Sequence, residues 1–554
     1  MCARTAATGA PPIAMPLRCH LSRSLVALAA CALLVSGAPL TPTALAQATA
    51  APRLPALGDA AAEALPVASE RRIGDQIMRQ IRRDPAYLDD PLLLDYLQSL
   101  WTPLLAAARA RGDIGADTDA AFAWEVFAVR DRTVNAFALP GGYIGLHLGL
   151  IAMTALRDEL ASVLAHELAH VTQRHIALRV AGAQRTTLVG MAAIVLGVLA
   201  ASRAGSADAA QAAIVGGQAA MIQQQLGFSR EMEREADRIG WAIFLDAGFE
   251  PAGKALMFER LLQASRLVDD GSFPYLRTHP LTVERIGEAR ALLEALPPKP
   301  RAPAVNVFEH PLMQARARVL MDASVPALRR LQALQPPADA TPPERLAVLY
   351  GRALAGLKLR ETEAATQALA EARALLAASP LRDAHDARTE RALRLLEAEV
   401  RTARGDAVGA LALLDGAASA APGAATAGAR PLLLQRAQSA LVAHRTGAPA
   451  ALLRASVEAL QVWVAEHRTD ASAWSLLAQG AAQLGLTLRA VRAEAETQAA
   501  LGDLRGAIDR LRAGQRLAGD GGAGDFIERS AIDARLRELQ LELRAREAEA
   551  RRGG

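Results

Sequence analysis

Cysteine is nearly absent from this chain: of 554 residues only Cys2, Cys19 and Cys31 are cysteines. Everything after Cys31 therefore lacks both a disulfide framework and a cysteine-ligated metal site. Any metal held there must use His, Asp or Glu. Aromatic residues are also scarce, at 4%, yet apolar residues reach 51%, which excludes a disordered chain. The 29 Pro and 41 Gly fall far short of a collagen-like or low-complexity composition. A surplus of one charge is missing too. The formal net charge is +4, but Arg4, Arg18 and Arg23 lie in the first 46 residues, which contain no acid. The remainder has 59 of the 62 basic residues against all 58 acidic ones, so no global field favours nucleic acid or an anionic membrane. Nor does any apolar run approach the ~20 residues of a spanning helix.

What is present begins with an export signal. Met15, Arg18 and Arg23 precede the apolar run 24–35, and Ser36, Gly37, Pro39 and Ala44-Leu45-Ala46 follow. A basic stretch, a short apolar stretch and a small-x-small site mark a cleavable signal over residues 1–46, with Gln47 as the mature start and Met15 an alternative initiator. Leu28-Ala29-Ala30-Cys31 is the competing lipidation motif, ranked second because its Cys lies inside the apolar run. The signal places the expected site of action outside the cytoplasm.

Residues 47–65 are an Ala/Pro-rich leader, expected to be flexible. Residues 66–295 mix helical periods with one strand-like segment, and the proline-rich stretch 296–303 (LPPKPRAP) reads as a linker. From 304 to 550 the chain is rich in Ala, Leu and Arg at helical spacing. Gly405-Asp406 with Ala410, Trp474-x2-Leu477 with Gly485 and Ala490, and Gly502-Asp503 with Ala507 repeat a turn-then-small-residue order. That order resembles degenerate tetratricopeptide units, in which small residues let neighbouring helices approach. A generic Ala-rich bundle is the alternative.

The chemistry concentrates at His166-Glu167-Leu168-Ala169-His170. Leu160, Val163, Leu164, Leu168 and Val171 form an apolar helical stripe around it. Spacing i, i+4 places both imidazoles on one face, where they can share a Zn²⁺ ion. Glu167 can take the proton of a water that zinc acidifies. His175 lies about 500° along the helix from His170, some 140° round from it, and so reads as a surface or second-shell residue rather than a ligand. The third ligand is sought in Ser229-Arg230-Glu231-Met232-Glu233-Arg234-Glu235-Ala236-Asp237. There Glu233 can ligate while Asp237, one turn on, supports the site.

Four blocks, Asn135-Ala-Phe-Ala-Leu-Pro-Gly-Gly142, HELAH-VTQRH, SREMEREAD-RIG and Thr278-His279-Pro280-Leu281-Thr282, together resemble the BepA-like branch of the HtpX/CAAX-protease-like zinc metallopeptidases. The resemblance implies a mainly α architecture: a gluzincin-type α+β peptidase domain with a small β element, followed by helical repeats. It implies His166, His170 and Glu233 as zinc ligands, selects Glu233 over Glu231 and Glu235, and gives Glu167 the role of base and Asp237 an accessory one. For His279 it suggests a fourth zinc ligand or a switch that keeps the site latent; a turn residue shaping the cleft is the alternative. Unfolded or misassembled outer-membrane proteins are the implied clients, with the repeats docking on the β-barrel assembly machinery. A chaperone-like assembly factor with a rarely active peptidase is the rival.

Two further segments bear on the cleft. Residues 135–144 read as strand positions broken by Pro140-Gly141-Gly142: an ordinary hairpin in the core, a strand at the rim of the site that pairs with an extended substrate, or both at once. Residues 188–201, 14 apolar or Gly residues, read as a buried helix, with a mobile lid or membrane-facing element over the cleft as the alternative.

Overall fold

A computed structural model describes residues 65–182, 228–267, 272–297, 307–379, 387–418, 429–517 and 523–553. The signal, the leader up to residue 64, the apolar run 188–201 and positions 298–303 of the proline-rich break lie outside the described residues. All described residues belong to one compact unit, and none of their helices is long and apolar enough to cross a membrane.

The N-terminal part opens with α1 (Val67–Ile81), β1 (Tyr87–Leu88), α2 (Pro91–Arg111) and α3 (Ala116–Ala121). The start of α2 is fixed locally: Asp90 accepts from the Leu93 amide at 2.9 Å and Pro91 occupies the first turn, where its missing N–H costs nothing. β2 (Glu125–Val129), β3 (Ala136–Leu139) and β4 (Tyr143–His147) follow. The sheet order is β1-β2-β4-β3, with β2 and β4 parallel and the other pairs antiparallel. The hairpin expected around Pro140-Gly141-Gly142 is β3–β4; both glycines have positive φ, 79° and 85°, as a tight reversal requires. The sheet is larger than the single strand-like segment legible in the sequence, since β1 and β2 add to it.

After α4 (Leu148–Met153) comes α5 (Arg157–Thr172), the helix of the His-Glu-x-x-His motif, then α6 (His175–Gly182). Every residue of α5 from Glu159 to Val171 is buried. The stripe expected on one face is thus part of a helix enclosed on all sides, in contact with α2, β3, α7 (Arg230–Asp246) and α8 (Ala252–Leu267). α9 (Pro274–Thr278) and α10 (Val283–Glu294) complete this part.

The remaining helices are α11 (Glu309–Met321), α12 (Val325–Ala333), α13 (Pro342–Lys358), α14 (Thr362–Ala378), α15 (Ala387–Ala403), α16 (Ala407–Ala418), α17 (Ala429–Arg445), α18 (Ala450–Glu466), α19 (Ala471–Gln483), α20 (Thr487–Ala500), α21 (Leu504–Arg516) and α22 (Ala523–Gly553). From α13 on, each helix packs on its predecessor. α13, α15, α17 and α19 also pack in series, as do α20 and α22, the pattern of stacked helical hairpins. The turn glycines Gly405, Gly485 and Gly502 have φ of 90°, 74° and 82°, and the paired small residues Ala410, Ala490 and Ala507 are buried. The mainly helical fold with a small β element is the one the sequence implies.

The two parts share a core. One hydrophobic cluster runs from Leu88 through Leu168 and Phe244 to Leu354 and Leu414. Buried charge reinforces it at the N-terminal end of α2. Arg316 on α11 makes a two-pronged bond to Asp90, both contacts 2.7 Å, and donates to Tyr350. Arg388 and Arg391 on α15 bind Asp95, and Arg430 on α17 bridges Asp89 and Asp470 at 2.8 and 2.7 Å.

Candidate metal centre

The site forms where α5, α7 and the turn after α9 meet. α7 begins at Ser229, whose hydroxyl accepts from the Met232 amide, so the first turn delivers Glu233 to α5. Close approach depends on Gly240. A Cβ there would stand 2.9 Å from the Ala165 carbonyl oxygen and 3.2 Å from His166 Cα. Of the three glutamates in the block, Glu231 is exposed, Glu235 is half-buried and Glu233 is buried.

His166, His170, Glu233 and His279 converge in a buried quartet whose ligand atoms all lie within 4.8 Å of one another. His166 Nε2 is 3.1 Å from His170 Nε2 and 3.3 Å from His279 Nδ1. Glu233 Oε1 is 2.8 Å from His279 Nδ1 and 3.4 Å from His170 Nε2, and Oε2 is 3.5 Å from His166 Nε2. Bonds of 2.0–2.2 Å in a tetrahedron have edges of roughly 3.3–3.6 Å, so the donor set fits one small divalent ion. Three inward-facing imidazole nitrogens beside a carboxylate also make sense chemically around a cation, since their lone pairs otherwise oppose one another.

Around the quartet, Asp237 Oδ1 stands 3.2 Å from His166 Nδ1, short of full hydrogen-bond alignment. Arg285 grips Asp237 with Nε to Oδ2 at 2.6 Å and Nη2 to Oδ1 at 3.1 Å, and its Nη1 lies 2.9 Å from Glu233 Oε2. Lys254 donates to the Asp237 carbonyl at 2.8 Å. Glu167 is fully buried; the Ala138 backbone faces its carboxylate, but neither oxygen completes a hydrogen bond. Its nearest ionisable partner is His279 Nε2, 3.4 Å away.

Electrostatics follow from burial and this crowding. Burial raises Glu167 above the usual carboxylate range, with His279 and His166 pulling against it. Glu233 is driven the other way: burial opposes its charge, but His279, His166 and His170 outweigh burial and hold it far below that range. Burial likewise opposes charge on His166, yet Asp237 and Glu233 push it up to about 9, whereas burial holds His170 well below its ordinary value. The cage demands positive charge at its centre, supplied by a proton or a metal ion.

Every site residue inferred from sequence thus lies in one cluster, with one correction of place. Of the two readings of His175, the surface one fails, because the residue is fully buried, and the one that sets it behind a ligand holds, because its Nδ1 is 2.9 Å from His170 Nδ1. Extrapolating α5 fails because the helix ends at Thr172 and Arg174 adopts φ +53°, turning the chain back toward His170. Sequence reasoning missed Arg285, Lys254, Phe228 and Tyr275. Phe228 stacks on His170 at 3.9 Å between ring centroids, and Tyr275 lies 4.7 Å from His279. Only Tyr275, one helical turn before His279, left a local signal.

Residues 104–293 match the model of peptidase family M48. A beta-barrel assembly-enhancing protease of Escherichia coli K12 is 31% identical over 367 residues, covering 65% of this chain and 69% of that protein. The chain belongs to this family, the M48 metallopeptidases. A Vibrio cholerae protein also named for β-barrel assembly is 35% identical over 326 residues, and the match spans 57% of this chain and 63% of that protein's length. The mitochondrial metalloendopeptidase OMA1 of Schizosaccharomyces pombe is 34% identical over 178 residues, 31% of this chain and 47% of its own. The M48 match contains His166, Glu167, His170, Glu233, Asp237 and His279.

Proposed function

We propose that this M48 chain is an exported zinc endopeptidase that cleaves unfolded or misassembled envelope proteins. In this reading residues 66–295 perform the hydrolysis, and residues 304–550, as degenerate tetratricopeptide-like units, contact clients or the β-barrel assembly machinery. The observation that carries it is the buried quartet with Glu167 beside it. His166, His170 and Glu233 would hold the ion, which supplies Lewis-acid polarisation of a peptide carbonyl and acidifies water. Glu167, desolvated and without a hydrogen bond of its own, is placed to accept a proton at its carboxylate oxygens. Asp237, held by Arg285 and Lys254, orients His166 through Nδ1.

The β3 edge suits an extended client. The His147 amide donates to the Asn135 carbonyl at 3.0 Å, and antiparallel pairing alternates, so the main-chain groups of Ala136 and Ala138 face away from β4. On that side the Val134 amide donates to the Ser272 carbonyl and the Val134 carbonyl accepts from the Tyr275 amide. A peptide continuing this pairing past Val134 would run along Ala136 and Ala138, next to Glu167.

His279 favours a second reading, an assembly factor whose peptidase is latent. Its Nδ1 is 2.8 Å from Glu233 Oε1 and its Nε2 is 3.4 Å from Glu167 Oε1, so the ring would be available as a fourth ligand in place of a water. Glu167→Gln separates the two. For an endopeptidase, this variant loses at least about 100-fold in cleavage of an unfolded β-barrel protein and no longer supports assembly of that client. Full assembly without cleavage would favour the latent-factor reading.

A further inference from the structure

We propose that His175 and Glu235 act as a positioning relay that fixes the proton of His170 on Nδ1, leaving its Nε2 lone pair to face the quartet. The inference rests on the metal-binding reading above and extends it to two residues that touch no metal.

The geometry is a chain of three groups. His170 Nδ1 is 2.9 Å from His175 Nδ1, and His175 Nε2 is 3.2 Å from Glu235 Oε2. Two facing nitrogens can share only one proton, so one donates and the other accepts. An ionised carboxylate only accepts, which places a proton on His175 Nε2. The neutral ring then has Nδ1 free to accept, and His170 Nδ1 must donate. With that proton on Nδ1, the His170 Nε2 lone pair is left facing His166 Nε2, 3.1 Å away. Metal-ligating histidines ordinarily have such an outer partner that sets their tautomer. His166 has Asp237 directly; His170 reaches Glu235 only through His175.

The fold holds the relay in place. Arg174, at φ +53°, makes the bend that returns His175 to His170. A left-handed arginine is unfavourable by itself, and two partners maintain it: Glu70, whose Oε2 is 3.0 Å from Arg174 Nε, and the Leu65 carbonyl, which accepts from Nη2. Phe228 stacks on the His170 ring with planes 22° apart, which restricts ring rotation. The other Glu235 oxygen lies 3.8 Å from Arg238, an exposed side chain.

The test measures zinc affinity of the full chain by chelator competition, alongside ¹⁵N-histidine spectra of the zinc-loaded protein. His175→Leu removes the acceptor and should weaken zinc binding about 10- to 100-fold. His175→Asn, which presents an oxygen near the Nδ1 position, should stay within about threefold of wild type. Wild-type spectra should show His170 protonated at Nδ1 and ligated through Nε2, assigned by loss of the signal in His170→Ala. Unchanged zinc affinity in His175→Leu, or ligation of His170 through Nδ1, would overturn the relay. If His175→Leu does not fold, the wild-type spectrum alone decides. Failure of the underlying reading looks different: Glu233→Ala would then bind zinc as tightly as wild type.

Discussion

At the scale of single residues, Arg285 is the side chain that pairs with two of the buried carboxylates of the site. It neutralises Asp237 and lies against Glu233, and Asp237, Glu233 and Arg285 are all buried. Their proximity to α5 makes a vacancy there expensive. Removing one partner of a buried ion pair typically costs about 3–5 kcal/mol, because the other charge stays desolvated. Arg285→Met should therefore lower the unfolding free energy of the metal-free chain, measured by denaturant titration, by an amount in that range. The surface arginine Arg238, 75% exposed, should cost less than about 0.5 kcal/mol on replacement by Met. The sequence could not indicate Arg285: it is 48 positions from Asp237 and belongs to no local pattern. His166, Glu167 and His170 were legible because a one-turn spacing within a helix is itself the geometry. Glu233 needed the wider pattern, since three glutamates at alternate positions look alike until burial separates them. The surface reading of His175 fails because one residue, Arg174, leaves helical φ.

At the scale of elements, the centre is set by how closely α7 lies on α5. Gly240 permits that approach, so Gly240→Ala must push the Ala165 backbone or α7 aside. The expected cost is about 1–3 kcal/mol of stability from overpacking, together with weaker zinc binding, because Glu233 and Asp237 ride on the same helix. Calorimetric unfolding and chelator competition on one sample check both; zinc affinity unchanged alongside a stability loss would detach the helix spacing from the site. Legibility here tracked how local each signal was. Turn glycines marked the α15–α16, α19–α20 and α20–α21 reversals. The α13–α14 reversal escaped notice because Arg360, at φ +62°, takes the glycine's place. β2 escaped because five residues, Glu125–Val129, gain their strand identity from pairing with β4 across an intervening hairpin strand.

At the scale of the whole molecule, the sequence suggested two parts joined by a proline-rich break, and the fold adds a shared core and a charged seam. Asp90 anchors that seam directly through Arg316, and Asp470, within the helical part, holds the Arg430 that reaches across to Asp89. Burial opposes the ionisation of Asp90 and Asp470, but Arg316 and Arg430 outweigh it and hold both below the usual carboxylate range. A carboxylate whose folded pKa is depressed contributes stability above its unfolded value, about 3.9, and loses it as pH falls through the folded value. The contribution of these two carboxylates should thus be constant above about pH 5 and decline below pH 4. Asp470→Asn, already lacking this contribution, should be less stable at pH 7 and show a shallower acid decline. Denaturant titrations of both proteins between pH 7 and pH 3 measure the difference; parallel curves would remove the seam from the account.

The opening observation, a chain with no cysteine beyond residue 31, restricts any metal centre of the body to His, Asp and Glu. The metal-loaded crystal structure, with anomalous diffraction at the zinc edge, tests the resulting claim most directly. The account predicts one zinc per chain, bound by His166 Nε2, His170 Nε2 and a Glu233 oxygen at about 2.0–2.2 Å. An anomalous peak away from these residues, or a zinc on the two histidines with Glu233 outside bonding distance, would contradict it.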